Sequence, residues 1–179
     1  MKEPIMLADT VLLFDSYSPD SRRLHGSFRL AGCDCSAVVL EENDFLPEEV
    51  MSVYDLFLGY YGEKGKGLGK PRFVNEIAVP DLWSISAGVG KTAYGRITYR
   101  NEEKGRIYYL DSPKKHLVKA VDWFNRKGEV RVRDHYNRYG AVCARTVYDV
   151  QGRELGKTWF SAGGQEVITW NCHWRSDCK

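Results

Sequence analysis

The 179-residue sequence has no long hydrophobic run. Near the N-terminus the longest, Val11 to Phe14, is far too short for a signal-peptide core or a membrane span, which places the chain in the cytosol. It also lacks a dominant charge: the formal net charge is +2, with 28% charged and 43% apolar residues, which excludes a disordered or nucleic-acid-coating chain. A paired-cysteine framework is missing too. Cys33-x-Cys35, Cys143, Cys172 and Cys178 make an odd five, so reduced thiols are expected rather than extracellular disulfides. The length is enough to bury a real core, in one domain or at most two small ones.

What is present falls into two patterns. From Thr10 to about Leu40 the order is strand, helix, strand. Val11 to Phe14 is a short apolar run, and Ser18-Pro19-Asp20 then offers an N-cap residue before a proline at the first helical position. Leu24, Phe28 and Ala31 recur on one helical face, and Gly32 supplies a C-terminal stop. Ala37 to Leu40 reads as a second buried strand. Two apolar strands bridged by a helix predict a parallel pair that needs further strands to complete its sheet. Residues 62–70, rich in glycine and lysine, read as a mobile loop.

From Pro71 onward the helical period disappears. Gly128, Gly140, Gly152 and Gly164 stand 12 residues apart, each preceded by an aromatic and a small polar residue: Phe124-Asn125, Tyr136-Asn137, Tyr148-Asp149 and Phe160-Ser161. Asn, Asp or Ser opening a type I turn, with glycine in the left-handed position, predicts three-residue bulged hairpin loops. The loops pair Phe124 with Val130, Tyr136 with Val142, Tyr148 with Glu154 and Phe160 with Glu166. Strict alternation from those pairs puts Val130, Val132, Tyr136, Val142, Ala144, Thr146, Tyr148, Thr158, Phe160 and Ile168 on a buried face. The opposite, basic face holds Arg131, Arg133, His135, Arg145, Arg153, Lys157 and Trp159, with Trp123 interleaved. Such a broad open sheet suits holding another protein rather than a small molecule.

Motifs for chemistry fail on spacing or context. Gly88-Val89-Gly90-Lys91-Thr92 imitates the end of a phosphate loop, but Ile85 stands where the first glycine belongs. Thr92 to Arg100 alternates like a strand rather than opening a helix, so a hairpin turn is the reading there. Cys33-x-Cys35 and Cys172-His173 with Cys178 fit a structural zinc site poorly. Asp134-His135 has no nucleophile at a diagnostic spacing, and Glu41, Glu42, Glu48 and Glu49 show no pairing. No catalytic, cofactor or metal residue is assigned. The basic face carries no recognised nucleic-acid module.

Taken together, Asp122-Trp123, Asp134-His135-Tyr136-Asn137-Arg138-Tyr139-Gly140, Ala144 to Tyr148 and Gln165 to Ile168 resemble the accessory Sec system's glycosylation stabilising protein family. Leu13-Phe14-Asp15, Phe45 to Val50, Pro71 to Asn75 and Val79 to Trp83 agree in the same order. The resemblance implies a glycosyltransferase-like fold with an extended β-sheet domain inserted into a Rossmann-like half. It also implies a subunit without transferase activity or cofactor, which supports a catalytic peptide N-acetylglucosaminyltransferase and binds a serine-rich repeat adhesin. Nucleic acid is no partner, and membrane association is at most peripheral, on the inner face.

The expected class is therefore α+β: a partial Rossmann-like β-α-β start over 1–61, the loop 62–70, an extended antiparallel β-meander over 71–171 and an atypical tail 172–179. Family members are considerably longer, and the tail reads as a truncated or frameshifted end. The alternative is a fragment of a sugar-nucleotide-dependent glycosyltransferase without its donor-binding half.

Overall fold

The structure, a computed structural model, describes residues 10–42, 45–60, 69–86, 94–110 and 116–172. Most of the Gly/Lys loop, the Gly88–Thr92 string and the tail from His173 lie outside the described residues. The chain divides into two compact units, Met1–Leu68 and Gly69–Lys179.

The first unit is a small parallel sheet. Strand β1 (Thr10–Phe14) leads through helix α1 (Pro19–Leu30) to β2 (Cys35–Val39), then come β3 (Val50–Ser52) and helix α2 (Val53–Leu58). The order is β1-β2-β3 with both pairings parallel. Helix α1 starts where the sequence predicts: Ser21 N–H donates to Ser18 Oγ at 3.2 Å, with Pro19 in the first turn. Its inward face is one residue out of phase with expectation. His25 is buried while Leu24 is exposed, because the Tyr17 hydroxyl and His25 Nδ1 meet at 3.0 Å and draw that side of the helix inward. Strand β1 differs as well: Leu13 is 61% exposed, since β1 is a sheet edge whose only neighbour is β2 among the described residues. Ala37, Val39, Leu46 and Val50 form this unit's core, with Phe14 and Tyr17 against it. A reciprocal cap opens α2, Asp55 N–H donating to Ser52 Oγ at 3.0 Å and Ser52 N–H to Asp55 Oδ2 at 3.2 Å.

The second unit is an eight-stranded antiparallel sheet in strict chain order. Its strands are β4 (Ser84–Ser86), β5 (Tyr94–Tyr99), β6 (Glu102–Tyr109), β7 (Val118–Phe124), β8 (Val130–Tyr136), β9 (Val142–Tyr148), β10 (Glu154–Phe160) and β11 (Glu166–Asn171). Strands β4 and β5 flank the Gly88–Thr92 string as an antiparallel pair, with no helix opening at Tyr94, so the context a phosphate loop requires is absent there. A strap at the start of the unit runs beside β7: Val118 N–H donates to Arg72 O and Val74 N–H to His116 O. The strap lays Val74, Ile77, Val79 and Trp83 against Ile97, Ile107, Val118, Val121 and Tyr136. The core thus sits on one face of β5 to β8.

The four hairpin turns obey their local chemistry. Gly128, Gly140, Gly152 and Gly164 all have φ between +74° and +79°, a region that penalises a side chain. In the β7–β8 loop Gly128 N–H donates to Asn125 O, and the Asn125 side chain accepts from the N–H groups of Lys127 and Glu129. Asn137 and Asp149 do the same in the next two loops.

Candidate functional site

The four pairs that close the hairpins are those expected, Phe124 with Val130, Tyr136 with Val142, Tyr148 with Glu154 and Phe160 with Glu166. One step further the alternation breaks. Trp123 pairs with Val132, His135 with Ala144, Val147 with Gly156 and Trp159 with Ile168. Each hairpin therefore holds one extra residue on its second strand: Arg131, Cys143, Leu155 and Val167. A bulge moves every later side chain of its strand to the other face.

This overturns the single basic face and its apolar counterpart. Directly paired residues share a face. Arg133, Thr146 and Lys157 are paired across β8, β9 and β10, as are His135, Ala144 and Trp159, so Arg133, His135, Lys157 and Trp159 do come together. Thr146, Ala144 and Tyr148 join them instead of lying opposite. Trp123 and Arg145 belong to the other face, where both bind Asp134: Trp123 Nε1 at 2.8 Å and Arg145 Nε at 2.7 Å. Arg131 is a bulge residue, and Arg153 closes a turn, its Nε donating to Asp149 Oδ2 at 2.7 Å.

The first face is built around Asp122. Its carboxylate is 1% exposed and takes two bonds from Arg133, Nε to Oδ1 at 2.6 Å and Nη2 to Oδ2 at 2.8 Å. The Arg133 guanidinium lies 5.3 Å from the Tyr108 ring and 6.0 Å from the Tyr148 ring. The Asp122 partnership holds the Arg133 pKa above its ordinary value, and burial raises both tyrosines. Next to it Arg106 stacks on Tyr94 and Phe124. Arg106 also donates twice to Glu103, at 2.8 and 3.1 Å, which lowers the Glu103 pKa. His135 Nε2 and Thr146 Oγ1 are 2.9 Å apart, and the Lys157 ammonium lies 4.9 Å from the Trp159 ring.

Sequence reasoning missed Asp122, Tyr108 and Tyr148 as parts of this cluster. The readable signal was a spacing of eleven, shared by Asp122 with Arg133 and Asp134 with Arg145, one short of the turn spacing and equal to the cross-strand step. Beside Arg133 lies an open cleft of about 450 Å³, lined by Glu129, Val130, Arg133, Tyr148, Val150 and the Gln151-Gly152 turn.

Among the described residues Cys33, Cys35, Cys143 and Cys172 form no disulfide, and no group of three or more metal-ligating side chains converges. No helix among them is long and apolar enough to cross a membrane.

Comparisons with known proteins agree on one family. Residues 83–176 match the GtfB middle domain and residues 11–57 the GtfB N-terminal domain. The chain is 37% identical over 122 residues to the UDP-N-acetylglucosamine–peptide N-acetylglucosaminyltransferase stabilizing protein GtfB of Streptococcus gordonii, covering 68% of this chain and 26% of that protein. It is 36% identical over 119 residues to the protein of the same name from Streptococcus pneumoniae, covering 66% and 25%. The chain thus spans about a quarter of the length of the curated relatives it matches. In structure it is similar to a chain in a crystal structure of the GtfA/B complex bound to UDP and GlcNAc, with a TM-score of 0.76, 36% identity and coverage of 90% of this chain and 35% of that one. A chain of accessory secretory protein 1, 2 and 3 from Streptococcus pneumoniae shares the fold at a TM-score of 0.72 and 11% identity, covering 94% and 34%. With two family domains matched in order and identity above a third to named members, the chain belongs to the GtfB family.

Proposed function

We propose that this chain acts as a non-catalytic stabilising element of a peptide N-acetylglucosaminyltransferase complex, its meander docking the catalytic subunit and contributing to the hold on a serine-rich repeat adhesin. The observation that carries this reading is the likeness over 90% of the chain, at 36% identity, to a chain of the GtfA/B complex. The curated relatives from five organisms bear the name stabilizing protein, which favours this role over a fragment of a catalytic transferase. In this reading β1-α1-β2-β3 is the start of a Rossmann-like half, and the meander is a twelve-residue repeat presenting Arg133, His135, Lys157 and Trp159 to a protein partner. The complex works as a chaperone of accessory Sec glycosylation in the cytoplasm, with at most peripheral contact at the inner membrane face. No nucleic acid is involved.

The test is co-expression with the catalytic transferase, affinity capture through this chain and size exclusion of the eluate. Co-elution as one defined complex is the expected result. A transferase that elutes alone while this chain remains soluble and folded contradicts the reading.

A further inference from the structure

The strap that covers one face of the meander is held by far less than the strands beneath it. Within residues 69–83 only Ile77 is buried, with Val74, Val79 and Trp83 half-buried beside it. Among the described residues two backbone hydrogen bonds tie the strap across to the start of β7, from Val118 N–H to Arg72 O at 2.9 Å and from Val74 N–H to His116 O at 3.1 Å. Further bonds are internal to the strap. Glu76 N–H donates to Phe73 O at 2.9 Å, Phe73 N–H to Glu76 Oε2 at 2.8 Å and Trp83 N–H to Pro80 O at 3.1 Å. Those internal bonds survive when the strap lifts. Lifting it therefore breaks little backbone pairing, whereas each of β5 to β10 is paired on both sides.

One end of the strap is pinned. The chain enters this unit at Gly69, and residues 69–72 lie tight against the β8–β9 turn. A Cβ at Gly69 would stand 2.6 Å from Tyr139 O, and one at Gly140 would strike Lys70 O. Arg72 spans the same contact, its Nε donating to Gly140 O at 2.6 Å and its Nη1 to Glu76 O at 3.1 Å. Both bonds have a charged donor, which makes them stronger than the neutral backbone pair they reinforce. We infer that residues 69–83 form a clasp that opens ahead of the sheet, with Arg72 and the close Gly69 and Gly140 contacts as its catch. Opening uncovers Ile97, Ile107, Val118 and Val121, all fully buried when the clasp is shut, while β8 to β10 keep their pairing. Because the catch sits where the chain enters the unit, a pull from upstream acts on it before it acts on any strand of the meander.

The experiment is native-state hydrogen exchange on the full chain, followed amide by amide by NMR under conditions where exchange reports the opening equilibrium. The amides of Val74 and Val118, which bond across the clasp, are expected to exchange at least about tenfold faster than those of β9 in the wild-type chain. Arg72→Met should speed Val74 and Val118 by a further factor of about ten, the effect of losing hydrogen bonds from a charged donor. The same substitution should leave the β9 amides within about twofold of wild type. Gly69→Ala, which loosens the catch from the backbone side, should give the same selective pattern. Arg72→Lys keeps the charge but not the two-bond fork and should show that pattern at smaller amplitude, so the test does not depend on the methionine variant folding. Wild-type Val74 and Val118 exchanging as slowly as β9 would mean that the strap leaves only with the whole sheet and would overturn the clasp. Equal acceleration of β9 and the strap amides in the variants, or no acceleration of either, would overturn it as well.

Discussion

The two units of the chain obtain their sheets by opposite means. In the first, β2 reaches β1 only through a helical crossover, and β1 remains an edge with Val11 and Leu13 exposed. In the second, every strand pairs with the one before it through a short connection, and the core residues Ile97, Ile107, Val118 and Val121 are fully buried. Local pairing lets a meander reach a closed core within a short stretch of chain. A parallel sheet depends on strands distant in sequence.

The sharpest contrast is therefore in truncation cost. Ile107→Ala, inside the meander core, should cost about 4 kcal/mol in urea unfolding. Leu13→Ala, at the exposed edge of β1, should stay under about 0.5 kcal/mol. Equal costs would mean that β1 is as enclosed as the meander and would erase the distinction.

The next two effects separate turn chemistry from its surroundings. A Cβ at Gly140 would strike the Lys70 carbonyl, whereas one at Gly128 meets nothing within 4 Å. With φ near +75° at both, Gly140→Ala should cost about 3 kcal/mol and Gly128→Ala about 1 kcal/mol by thermal unfolding. Asp122→Ala leaves Arg133 half-buried without its carboxylate. We expect about 2 kcal/mol, less than for a fully enclosed pair because the guanidinium still reaches water. Reversal by Asp122→Glu would point to charge alone, and failure of that rescue to the fixed two-bond geometry.

How much of this was legible in the sequence depends on the range of each cause. The turns were readable because Asn125, Asn137, Asp149 and their glycines satisfy a loop within five residues. The faces were not, because the extra residues Arg131, Cys143, Leu155 and Val167 share no side-chain type and carry no local mark. Their bulges show only in the pairing of two strands. Helix α1 was found from its cap and period, yet its phase was set by Tyr17 meeting His25. The strap over β5 to β8 was invisible for the same reason: Ile77 and Val79 take their place from Ile97 and Ile107. For the candidate site, four of the eight expected residues share a face, while Asp122, which organises that face, was missed.

A further small effect is a pH dependence confined to the meander. The hydrogen bonds from Arg106 lower the Glu103 pKa in the folded chain. A depressed carboxylate stabilises above its unfolded pKa, and that contribution disappears as pH falls through the folded value. Stability should thus decline below about pH 4, by under about 1 kcal/mol for this partly exposed pair. Glu103→Gln should flatten that limb in acid titrations monitored by circular dichroism.

The central claim is that this chain stabilises a catalytic partner. The most direct measurement is the melting temperature of the peptide N-acetylglucosaminyltransferase alone and with rising concentrations of this chain. A partner that binds only the folded transferase raises its melting temperature with concentration, by about 2.7 kcal/mol of stabilisation at a hundredfold excess over Kd. That rise is the predicted result. An unchanged melting temperature in the presence of folded chain would contradict the account.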